Sequence, residues 1–266
     1  MSATASFAAP QNGSTPPLNA TASYADLADF ALASKIVAQV RVKSARPLKG
    51  ELAAGTLPGR QRFLITAEIR SLIKAPEGLP QRIKYIVDAP LDSRGKPPRL
   101  NQTESLIFAL PARPGEVRLV APDASLAWNS AEDGQVRRIL AEATRRDAPP
   151  EVRGIASAFH SSGSLPGEGE TQIFLETANN RPASLTVQRR SDAPPRWFVS
   201  LGEVVDEGVS QPAPESLLWY RLACFLPETL PDTALEGQAE ADNTQVKLDY
   251  ALIRQALGPC PRSRKP

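Results

Sequence analysis

The amino-acid sequence predicts a β-rich α+β fold: a small antiparallel barrel, then a β-meander accompanied by two or three helices. Three observations carry this. The stretch Gln61 to Lys74 (QRFLITAEIRSLIK) alternates strictly, with Phe63, Ile65, Ala67, Ile69 and Ile73 on one face and Arg62, Thr66, Glu68, Arg70 and Lys74 on the other. Successive strand side chains point to opposite sides, so this is a long, half-buried antiparallel strand of the kind that coils around a small barrel. The 26 prolines in 266 residues shorten elements and multiply loops, because proline interrupts helices and central strands. Further apolar runs recur at regular spacing between turn signals.

In order, residues 1–20 are Ala, Ser, Pro, Asn and Gly and read as a flexible leader. Ser23 and Asp26 form a helix-start pattern, Ser as cap and Asp at the third position, so a helix is expected over Tyr24–Ala33. Strands are expected at Lys35–Lys43, at Gln61–Lys74, at Gln81–Asp88, at Ser105–Leu110 and at Glu116–Ala121, divided by loops rich in Gly and Pro. Ser130–Asp133 opens a second helix whose apolar stripe is Val136, Ile139, Leu140 and Ala143. Arg137, Arg138, Arg145 and Arg146 lie on its other side and read as a solvated face rather than a phosphate site. Pro149-Pro150 ends this helix and marks a boundary between residues 21–148 and 149–266.

The second half begins with strands at Glu151–Phe159, Thr171–Thr177, Ser184–Arg189 and Arg196–Val205, with a loop from His160 to Gly169 and turns at Asn179–Pro182 and Ser191–Pro195. Ser216–Phe225 (SLLWYRLACF) is apolar nearly all round and lacks β-branched residues, which makes a buried helix. Asn243–Leu257 is the last helix, stopped by Gly258-Pro259. Cys224 and Cys260 flank these two helices and would pin them together if bonded.

The helical segment followed by "IVAQVRV", "FLITAEIRSLIK", "RIKYIV" and "SLIFAL" resembles the strand series of an OB-type barrel of the netrin-like, metalloproteinase-inhibitor kind, over about residues 20–130. The resemblance implies an OB-like barrel for the first half. Inhibitors of that family use a disulfide-tethered N-terminal cysteine; here no cysteine precedes Cys224, so no functional residue is carried over.

Candidate chemistry is sparse. His160 is the one histidine, followed by Ser161 and Ser162, and a histidine base beside a loop serine could form a nucleophilic pair. Ser71-Leu-Ile-Lys74 matches an S-x-x-K pattern, but on a strand those positions face opposite ways. Gly163 and Gly167-Glu-Gly-Glu170 precede a strand and carry carboxylates, which suits a wide turn and not a phosphate loop. One histidine and two distant cysteines do not make the usual transition-metal sites, and Glu168, Glu170, Asp206 and Glu207 lack the spacing of a calcium loop. No metal and no cofactor are expected. Trp197, Trp219 and Tyr220 are the candidate binding surface if they are exposed together, and core otherwise.

Lys and Arg total 31 against 29 Asp and Glu, a balance that gives no field for nucleic acid or membrane. No run reaches the ~18 apolar residues of a transmembrane helix. Ser6-Phe7-Ala8 has the small-x-small character of a secretory cleavage site, and with the cysteine pair it suggests export to the periplasm or outside, with a signal peptide beginning upstream of Met1. A correct start at Met1 with no signal peptide implies the cytoplasm instead. The leading expectation is a non-enzymatic exported protein that binds a partner or another envelope component. The alternatives are a hydrolase built on His160 and a loop serine, and a single-stranded nucleic-acid module on the barrel face.

Overall fold

A computed structural model of the chain describes residues 22–202, 209–237 and 239–264. The expected leader, Asp206, Glu207 and the end of the Arg196–Val205 strand lie outside these residues.

Helix α1 (Tyr24–Ala33) starts as its sequence requires: Ser23 caps the Asp26 amide while the Asp26 side chain returns to the Ser23 N–H. Tyr24, Leu27, Ala28, Phe30 and Ala31 are buried. Phe30 stacks on Phe108, with ring centroids 5.2 Å apart. Beneath lies a sheet of six strands: β1 (Ile36–Pro47), β2 (Arg60–Lys74), β3 (Arg82–Pro90), β4 (Glu104–Pro111), β5 (Val117–Leu119) and β6 (Ser125–Ala127). Their order is β3-β2-β1-β4-β5, and β6 pairs with β4 beside β5. Phe63, Ile65 and Ala67 of β2 face the core, as their alternation requires; Ile69 and Ile73, further along, are only partly covered. Three register shifts between β1 and β2 add the local twist that lets so long a strand coil.

The sheet does not close into the expected barrel. In place of a continuous ladder, strand β3 and the chain beside β5 form one isolated parallel bridge, Lys84 with Glu116. The Lys84 N–H donates to the Gly115 carbonyl (2.9 Å) and the Asp88 N–H to the Pro122 carbonyl (2.7 Å). The reason is a mismatch in length. From position 84 to 88 an extended strand covers about 13 Å, whereas the opposing chain runs from 115 to 122 between the same two anchors. With more residues than that span needs, the opposing chain stays out of step with β3, and no ladder continues between the two hydrogen bonds.

Helix α2 (Ser130–Ala143) is capped by Asn129 and buries Val136, Ile139 and Leu140. A second antiparallel sheet follows as a sequential meander: β7 (Val152–Ser162), β8 (Gly169–Thr177), β9 (Ser184–Arg190), β10 (Ala193–Ser200) and β11 (Val209–Ser210). Two expectations change here. Strand β7 runs on through His160 to Ser162, so the loop shrinks to 163–168. Pro194 and Pro195, read as a turn, lie in β10 at a register shift, where proline removes no ladder donor.

Helices α3 (Leu217–Ala223) and α4 (Glu240–Leu257) follow the second sheet. The former packs on α1, α2 and α4, the latter on β7 and β8. Cys224 caps α3 and bonds Cys260 just beyond α4, with an S–S distance of 2.08 Å and Cα atoms 5.2 Å apart. Among the described residues, buried apolar side chains from both sheets and from α1, α2, α3 and α4 form one cluster. No helix among the described residues is long and apolar enough to cross a membrane.

Candidate functional site

The interruption between β3 and the chain at 115–122 leaves a groove of about 500 Å³. Its floor is the outer face of β2 and β3, contributed by Arg62, Leu64, Ile86 and Asp88. Its wall is Val117, Leu119, Val120, Ala121 and Pro122. The even-numbered positions of β2 and β3 point here because the odd-numbered ones fill the core. Ile86 sits between the two anchors. Since residues two apart on a strand direct their amides to the same side, its N–H and C=O point toward the groove along with the amides of Lys84 and Asp88. The Ile86 side chain is 49% exposed.

The two charges on the floor are paired with each other. Arg62 grips Asp88 with two hydrogen bonds, Nε to Oδ1 (2.7 Å) and Nη2 to Oδ2 (2.8 Å), and sends Nη1 to the Ala54 carbonyl (2.7 Å). The hydrogen bond to Asp88 raises the Arg62 pKa, outweighing its burial. Charge remains at the rim, on Lys84, Glu116 and Arg118. An apolar trough with a strand edge along it and a mixed-charge rim suits an extended segment that pairs with the Ile86 backbone and buries apolar side chains.

His160 lies elsewhere, at one end of the second sheet beneath α4. Its Nδ1 is 2.9 Å from Thr171 Oγ1, and Thr171 donates to Asp249 Oδ2 at 2.5 Å. A threonine hydroxyl has one proton, so Nδ1 is the donor to it. Asp249 is fully buried and also takes Arg189 Nε (2.8 Å), Arg189 Nη2 and Gln245 Nε2 (3.2 Å). The His160 ring lies across Gly169, where an added Cβ would come within 2.6 Å of Cε1. A nucleophilic triad places an accessible hydroxyl on the histidine and the carboxylate behind it. Here the hydroxyl is fully buried and lies between the two, an order that ties α4 to β8 and β9.

Trp197, Trp219 and Tyr220 do not form the candidate binding surface but belong to the core, at 4%, 8% and 3% exposed. Trp197 is a buried residue of β10, paired with Val187 of β9. Trp219 donates to the Leu257 carbonyl (2.9 Å) and meets Tyr24 edge-on, and Tyr220 donates to Asp29 (2.5 Å). Such rings carry the apolar area that joins α3 to α1 and α4. Phe159 and Phe174 form an exposed aromatic pair, stacked at 5.8 Å on the outer face of β7 and β8.

The residues that matter in these sites are partly legible in the sequence. Asp249 stands on the apolar stripe Val246, Tyr250, Ile253 and Leu257, and a carboxylate in that register signals a buried partner. Nothing local marks Thr171 or Arg189 as that partner. The groove has no motif, because its floor is the polar-side register of two strands and its wall an irregular turn. Among the described residues no group of three or more His, Cys, Asp or Glu could hold a metal ion. Comparison with known proteins finds no family that matches the chain and no characterised sequence similar to it.

Proposed function

We propose that this chain is an exported, non-enzymatic binding protein of the cell envelope, and that the groove beside β3 receives an extended, apolar segment of a partner. The observation that carries this reading is the interrupted β3 edge, with the Ile86 backbone directed into an apolar trough. The bonded cysteine pair supports export, because disulfides persist in oxidising compartments. The strand order β3-β2-β1-β4-β5, with one parallel bridge from β3 to the chain beside β5, supports an OB-type relationship for the first half, since that fold is a partly open five-stranded barrel. Aliphatic residues along the groove favour a peptide over stacked bases, which call for exposed aromatic platforms.

The test is site-specific photocrosslinking in the producing cell. A photoreactive residue at Ile86 is expected to give a discrete adduct in the exported fraction, and Leu64→Lys in the same chain to abolish it. The same residue at exposed Leu248 of α4 is the control. An adduct pattern shared by both positions, or a chain confined to the cytoplasm with free thiols, would sink the proposal.

A further inference from the structure

We propose that Asp26, Asp29, Phe30 and Asp123 form a second binding site, for arginine-rich segments of Arg-x-Arg spacing on a protein partner, and that the chain's own C-terminal segment occupies it as an internal competitor. Arg262 bonds Asp29 through Nε (2.8 Å) and Nη2 (3.2 Å). Ser263 donates to Asp26 through its N–H (2.9 Å) and its hydroxyl (2.6 Å). Arg264 reaches Asp123 with Nε (3.2 Å) and Nη2, and its guanidinium lies 3.9 Å from the centre of the Phe30 ring. Three consecutive residues are therefore read by three carboxylates and one aromatic face, the chemistry by which arginine-rich peptides are recognised.

Two features separate a site from a mere tail contact. The first is that each carboxylate has a second partner that holds it when the segment leaves. Ser23 bonds Asp26 (2.8 Å), the Tyr220 hydroxyl bonds Asp29 (2.5 Å), and Arg60 bonds Asp123 (3.3 Å). The acidic face is thus preorganised without the tail. The second is the tether. Cys260 is fixed to Cys224, so the segment can lift away from residue 261 onward while α4 stays packed. A tether this short holds the segment at an effective concentration in the millimolar range, so a partner's segment must outcompete it. The internal copy sets a threshold and rejects weak cationic partners.

A labelled peptide with the sequence of residues 261–266 tests this by fluorescence anisotropy. The full chain carrying Arg262→Ala and Arg264→Ala is expected to bind it, and the unsubstituted chain to bind it at least about tenfold more weakly, because its own segment competes. Adding Asp29→Asn and Asp123→Asn should abolish binding, and rising salt should weaken it. Equal binding by the two chains, or none by a double variant that unfolds cooperatively, overturns the proposal. A variant that fails to fold leaves a direct measurement on the unsubstituted chain. Millimolar peptide should speed hydrogen exchange at the Ser263 amide, and an unchanged rate overturns the proposal equally.

Discussion

Replacing Asp249 with alanine removes the carboxylate on which the α4 contact to the second sheet converges. The carboxylate is fully buried, whereas the Arg189 side chain keeps 26% of its exposure. Breaking a buried ion pair from one side costs about 3–5 kcal/mol, because the remaining charge is left without compensation. Partial rehydration of Arg189 puts the loss at the lower end, about 3 kcal/mol. At about 2–4 °C per kcal/mol for a chain of this size, the midpoint should fall by about 6–12 °C. Thermal and urea unfolding without reductant read both quantities. The pair Asp249→Leu with Arg189→Met removes both charges and should return to within about 1 kcal/mol of the parent, since an apolar replacement of a buried pair is close to neutral. A loss below about 1 kcal/mol in Asp249→Ala, or a double variant as unstable as the single, would refute the argument that the network works by compensating a buried charge.

Four further outcomes follow from the same structure. Substituting both Cys224 and Cys260 with alanine should cost roughly 3–4 kcal/mol in the chain-entropy estimate for a separation of 36 residues, seen as a lower unfolding midpoint that reductant no longer changes. Gly169→Ala should destabilise by roughly 1–3 kcal/mol, because the new methyl meets the His160 ring at 2.6 Å and the Ser161 carbonyl at 2.9 Å; unchanged stability would show that the ring swings clear. All four tyrosines titrate above their ordinary value, each mainly through burial, with Tyr85 and Tyr250 pushed up to about 12. A folded pKa raised above the unfolded one gives stability that is complete below about pH 10 and lost above it. Tyrosinate absorbance should therefore appear together with unfolding, and a separate titration near pH 10 would contradict this burial. Burial pushes the Asp26 carboxyl up, but hydrogen bonds from Ser263 and Ser23 hold it below the aspartate range. Its contribution is complete above the ordinary value near 3.9 and is lost as pH falls through the lower folded value, so Ser263 amide protection should fade only in that acid range.

What the chain's own order of residues determined is the inventory of elements. The capping pair Ser23 and Asp26 locates α1, alternation locates β2, and the stripe from Val246 to Leu257 locates α4, because each depends on neighbours within a few positions. The cysteine pair could also be read, since two cysteines flanking two helices leave one intramolecular bond to make. What only the tertiary structure decided is where distant residues meet. The groove exists because the chain from 115 to 122 is too long for the β3 span facing it, and no local pattern records that mismatch. Trp197, Trp219 and Tyr220 could be surface or core until the helices were placed. Likewise, Asp26 and Asp29 are separated from Arg262 and Ser263 by more than 230 positions. Local signals set by backbone geometry are short-ranged, whereas burial and charge pairing depend on how elements pack.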